Sequence, residues 1–168
     1  YARNALFAGM MPAEIQKHFP SKWKNEDDEG SKNKFEEDFL AANLANNNLN
    51  CKTSYNKITN LDAGKKLVSN FNNLLNNDFN VIVYNFVDML SHARTDMEVI
   101  RELADDESAY RSLTLSWFNH SSLNDLFKLI AKHNCDVIIT TDHGTIKVNE
   151  PSKVVGDRNT NSNLRYKQ

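Results

Sequence analysis

The chain has few of the features that mark exported, membrane-embedded or disulfide-stapled proteins. It carries two cysteines, Cys51 and Cys135, too few for a disulfide framework. Cys135 heads an apolar strand pattern and reads as a small buried hydrophobe. A reducing, cytoplasmic compartment is therefore expected. No apolar run approaches the ~20 residues that span a bilayer. No signal-peptide pattern opens the sequence. Neither sign of charge dominates: the net charge is -2 and the pI near 6.2. Bulk charge thus gives no reason to expect non-specific binding to nucleic acid or an acidic membrane. No Gly-rich loop follows a strand pattern, which argues against an ordinary nucleotide-cradling domain.

What is present is an ordinary globular composition. The 168 residues are 40% hydrophobic and 25% charged, enough for one domain with a sizeable core. About one residue in seven is Asn, a bias assigned to solvated faces. The sequence opens on Tyr1 with a helix pattern and runs out at Gln168 in a polar stretch. A piece of a longer protein is expected.

Residues 2–10 read as a short helix. Pro12 suits the first turn of a second helix through His18. The segment 22–38 mixes charges of both signs with Gly30 and reads as a solvated loop and helix face, or as a lid or insertion. Apolar residues at 35, 39, 40 and 44 then share one helical face. Asp62 is a plausible N-cap for a helix to Leu75, buried through Leu67, Val68, Phe71, Leu74 and Leu75. Residues 81–87 form a nearly continuous apolar run, the pattern of a strand covered on both faces. Thr95 and Glu98 fit a capping box opening another helix. A long helical pattern spans about 108–132, with a break near 120–122. Residues 137–141 read as a second buried strand, and 145–148 and 153–155 as shorter ones. Helices alternating with apolar strands predict an α/β fold with a mainly parallel sheet flanked by helices.

In open parallel sheets, ligands bind beyond the carboxyl ends of the strands. The first apolar run is followed by Asp88 and His92, the second by Asp142, His143 and Gly144. A chain that turns helical after Asp88 would put Asp88 and His92 one turn apart on one face. Asp142 and His143 are adjacent and meet one ion only from a turn that splays them, which Gly144 would permit. Mixed Asp and His donors suit zinc better than magnesium or calcium. The plainer reading makes Asp88 a helix cap, His92 a surface residue and Asp-His-Gly a turn. Two such pairs, each closing an apolar strand pattern, favour a metal site more than either pair alone. Arg158, in Gly156-Asp157-Arg158-Asn159, is either part of a polar turn or a clamp for phosphate. His18, His120 and His133 lack spacing partners and read as surface or capping residues. Trp117 and Phe118 read as core. Ser91, Thr140 and Thr141 show no activating base.

Residues 1–7, 140–145 (Thr-Thr-Asp-His-Gly-Thr) and 155–167 (Val-Gly-Asp-Arg-Asn-Thr-Asn-Ser-Asn-Leu-Arg-Tyr-Lys) resemble the PglZ domain of the alkaline phosphatase superfamily. Within it the likeness is to the effector half of PorX-type two-component response regulators of Bacteroidetes. The gap of about 50 residues between the Asp/His pairs is compatible with that family. The resemblance implies an alkaline-phosphatase-like fold with two zinc ions, one held by Asp88 and His92, the other by Asp142 and His143. It implies hydrolysis of phosphate esters, with a phosphodiester or nucleotide-like compound as substrate and Arg158 as a contact to its phosphate. It implies that residues 1–168 are the central part of such a domain. The nucleophilic Thr would lie just before Tyr1, and the last zinc ligand, a His, beyond Gln168. A role in secretion or signalling, with partners such as a sensor kinase or sigma factor, follows from the same likeness. The contrasting expectation is a non-catalytic regulatory module, braced by metal, that binds a protein partner.

Overall fold

The computed structural model describes residues 1–25, 28–144 and 150. They divide into two compact units, residues 51–138 and the remainder, each with its own buried side chains. The fold is α/β, a small parallel sheet with helices around it.

The first unit begins with three helices: α1 (Ala2–Ala8), α2 (Pro12–His18) and α3 (Glu36–Asn46). Helix α1 stops at Gly9, whose φ of 62° is a left-handed conformation that glycine adopts without penalty. A Cβ there would also meet the Asn43 side chain at 2.9 Å. Helix α2 opens on Pro12, and the Glu14 carboxylate accepts from the Met11 amide at 2.7 Å. Phe7, Ala8, Ile15, Phe39 and Leu40 are buried, with Phe19 edge-on to Phe39.

The charged segment 22–38 is less solvated than its composition suggests. Glu36 is 0% exposed and paired with Arg3 of α1. Trp23 stacks on Tyr1, whose hydroxyl donates to the Lys24 carbonyl. Buried Asn4 donates to the Lys32 carbonyl at 2.9 Å. Polar residues here meet partners on α1, so a run of charge need not mean a run of exposed residues.

The second unit is built on a βαβ motif. Strand β1 (Thr53–Ile58) leads through α4 (Leu61–Ser69) and α5 (Phe71–Leu74) to β2 (Phe79–Tyr84). The strands are parallel, with Thr53 opposite Phe79 and Ile58 opposite Tyr84. Among the described residues four helices follow: α6 (Phe86–Asp96), α7 (Glu98–Leu103), α8 (Glu107–Asn119) and α9 (Ser122–Ile130). Ile58, Leu67, Phe71, Leu74 and Leu126 form the core, joined by Ile82, Tyr84 and Leu129.

Several expectations need correcting. The cap of α4 is Asn60, whose side chain accepts from the Ala63 amide at 2.9 Å, not Asp62. The helix expected to reach Leu75 breaks at Asn70, and Leu75 is exposed. Thr95 opens no helix: α6 runs on through Asp96 and α7 starts after Met97. Residues 137–141 form no strand, and Ile138 and Ile139 are 91% and 77% exposed. Cys135 is exposed as well. A β-branched run forms a strand only where a neighbour supplies the ladder and a face to bury, and no described residue pairs with this one. Residues of β2 are half-buried, with Phe79 exposed. The short strands expected at 145–148 and 153–155 lie outside the described residues. Among the described residues no helix is long and apolar enough to cross a membrane.

Candidate metal centre

The carboxyl end of β2 is where the first candidate pair sits. Asn85 turns the chain out of the strand, and α6 begins at Phe86. Phe86, Leu90 and Ala93 are the more buried positions of α6, at helical spacing. Asp88 and His92 therefore fall on its solvent side, with side chains 52% and 71% exposed. Asp88 lies in the first turn, where a carboxylate also complements the helix dipole. It is not the N-cap residue, a place taken by Asn85.

The His92 Nε2 atom is 3.6 Å from Asp88 Oδ1. That is long for a hydrogen bond. Two ligands of one tetrahedral zinc, each about 2.0–2.1 Å from the ion, stand roughly 3.3 Å apart. The pair is thus close to the spacing two donors need to share an ion.

Asp142 and His143 lie in the other unit, in an irregular segment. His143 Nε2 is 3.8 Å from Asp142 Oδ1, and these side chains are 37% and 26% exposed. The Thr141 hydroxyl donates to the His143 carbonyl at 2.9 Å. His143 Nδ1 lies 3.2 Å from the Gly144 carbonyl. A carbonyl only accepts, so this bond selects the Nδ1–H tautomer and leaves the Nε2 lone pair free for a metal. Gly144 is not in the left-handed region, so the splay of the pair does not depend on glycine's special freedom. Among the described residues, nothing lies within 4 Å of a Cβ placed on Gly144.

Each pair is thus assembled internally, and both could hold a metal such as zinc. No group of three or more His, Cys, Asp or Glu side chains comes together among the described residues. Arg158 lies outside them. The side residues behave as the sequence suggested: His120 bonds the Ser116 carbonyl and His133 packs on Phe71. The Thr140 and Thr141 hydroxyls donate to backbone carbonyls, and among the described residues they meet no base.

Sequence reasoning missed what supports α6. Trp117 lies face to face with Phe86, ring centroids 4.0 Å apart and planes within 2°. The Tyr110 hydroxyl donates to the Val87 carbonyl at 3.1 Å. These two residues of α8 are two helical turns apart, and that spacing was the available signal.

A family model described as "BREX system PglZ alkaline phosphatase-like domain" matches residues 1–167. No curated protein matches the chain.

Proposed function

Because the chain belongs to the PglZ family of alkaline phosphatase-like domains, we propose that it contributes metal-binding residues to a zinc-dependent phosphoesterase acting on phosphodiesters or nucleotide-like compounds. The observation that carries this reading is the Asp88–His92 pair: two exposed donors 3.6 Å apart, at the carboxyl end of a parallel strand. Asp142 and His143 are the second donor pair. Arg158 offers a bidentate fork to the substrate phosphate. Bound zinc would supply Lewis-acid charge opposite the phosphoryl oxygens. The chain's own residues bind and orient: Asp88 gives an anionic oxygen, His92 and His143 give neutral nitrogens, and the Gly144 carbonyl fixes the His143 tautomer. The nucleophilic Thr and the last ligand would come from outside residues 1–168. On the likeness to PorX-type regulators, the domain is an effector of a cytoplasmic two-component system that serves secretion or signalling. Its partners would then include a sensor kinase or sigma factor.

The test uses the whole protein that contains this chain. Metal is counted by mass spectrometry beside hydrolysis of a chromogenic phosphodiester. About two zinc ions per chain are expected. Asp88→Ala and Asp142→Ala should each lose metal and lower kcat/KM roughly 10³-fold, about 4 kcal/mol of transition-state stabilisation. Full metal and full activity in either variant rejects that pair as ligands. Metal-dependent folding with no turnover would instead identify a regulatory module braced by metal.

A further inference from the structure

The Asp88 and His92 side chains are exposed, and among the described residues their side-chain polar contact is with each other. Their placement is therefore inherited from the backbone of α6. The first turn of α6 is held by two aromatic residues of α8. Trp117 stacks on Phe86 and takes the edge of Tyr84, the last residue of β2, at 6.4 Å. Tyr110 donates to the carbonyl of Val87, the residue just before Asp88. The Tyr110 ring also carries the Arg94 guanidinium at 5.9 Å, and Arg94 donates to the Asp105 carbonyl at 2.9 Å. One tyrosine thus touches α6 at both Val87 and Arg94, two turns apart, on either side of the Asp88–His92 pair.

We propose that Tyr110 and Trp117 are positioning residues for the Asp88–His92 pair. They fix the first turn of α6 so that the carboxylate and imidazole hold the separation a divalent cation needs. The inference rests on the zinc reading above for its consequence, and on the contacts alone for the fixing of α6. A metal site works only when its ligands are held to about 0.5 Å by packing and outer hydrogen bonds, and loss of such support typically costs 10–100-fold in affinity. A stacked ring pair resists sliding, and the hydroxyl bond resists rotation of the turn about the stack.

The test reads two quantities in the whole protein. One is zinc affinity, by competition with a chromogenic chelator. The other is amide hydrogen exchange over residues 86–92 without metal. Trp117→Leu should weaken zinc binding about tenfold, and Trp117→Phe, which can still stack, should restore most of it. Tyr110→Phe should weaken it about threefold. Both Trp117→Leu and Tyr110→Phe should speed exchange over residues 86–92 and leave α9 protected. Phe118→Leu is the control, since that ring packs on Phe127 of α9; it should change neither quantity. Unchanged exchange in Trp117→Leu overturns the proposal, as does equal loss in Phe118→Leu. Zinc binding that ignores Asp88→Ala would overturn the zinc reading alone, and the exchange result then decides the positioning role by itself.

Discussion

A methyl group at Gly64 would do more harm than one at most other helix positions. Its Cβ would collide with Ser122 Oγ and stand 2.9 Å from Ser122 Cβ, where α4 meets α9. Alanine in a helix interior usually gains about 1 kcal/mol over glycine. Here overpacking should reverse the sign, so Gly64→Ala is expected to cost about 1–3 kcal/mol in urea unfolding. Adding Ser122→Ala should recover part of that loss, since the Cβ contact remains. The same Ser122 hydroxyl lies 3.1 Å from the Tyr84 hydroxyl. Burial is the main reason the Tyr84 phenol holds its proton above the ordinary tyrosine value of 10.0; the Ser122 bond opposes the shift and the Asp125 charge adds to it. The native state therefore binds this proton more tightly than the unfolded chain does. Its stabilising effect is complete below pH 10 and is lost as pH rises through the raised native value. Tyr84→Phe should be less stable than wild type at pH 8, by about 1 kcal/mol. The gap should narrow above pH 10, as read by urea unfolding at both pH values. At this scale the sequence was informative where geometry is local. One turn of helix was enough to foresee Asp88 and His92 together. The close approach at Gly64 could not be foreseen, because it joins residues 58 positions apart.

Side-chain caps open three helices of the second unit, α4, α8 and α9. The side chains of Asn60, Asp106 and Ser121 accept from the backbone amides of Ala63, Ala109 and Asn124. Asn60→Ala and Asp106→Ala should each cost about 1 kcal/mol in thermal unfolding. The sequence pattern pointed to Asp62, and the bond to the Ala63 amide places the cap two residues earlier, at Asn60. The strands show the limits of pattern more sharply. β1 reads Thr-Ser-Tyr-Asn-Lys-Ile, with no apolar run to mark it. It forms because β2 lies beside it and because Ser54 donates to Asn80, its register partner, at 2.6 Å. Residues 137–141 have the stronger strand composition and, among the described residues, no ladder. Composition records what a residue prefers, and pairing depends on what stands next to it. The helices α2 and α3 were legible because Pro12 and the spacing of Phe39 and Leu40 act within a few residues, whereas α1, read through residue 10, stops at Ala8 before Gly9.

At the scale of the molecule, each unit has its own core. Phe39 is 0% and Leu126 2% exposed. Phe39→Ala is expected to cost about 3–5 kcal/mol and Leu126→Ala about 2–5. Hydrogen exchange should report Phe39→Ala in the amides of α1 and α3, and Leu126→Ala in those of α4 and α9. The register of the sheet carries a further consequence, for the order in which the second unit forms. Thr53 and Phe79 are partners 26 residues apart, with α4 and α5 as the connecting loop. Closing such a loop costs roughly 3 kcal/mol of chain entropy, little more than a loop half as long. Emerging from the ribosome, the chain has every residue of this motif in hand by Tyr84, before α6 has been made. The helix that carries Asp88 and His92 would then be laid onto a finished platform. Stopped-flow kinetics give the check: Phe71→Leu in α5 should mainly slow refolding, whereas Leu126→Ala in α9 should mainly hasten unfolding.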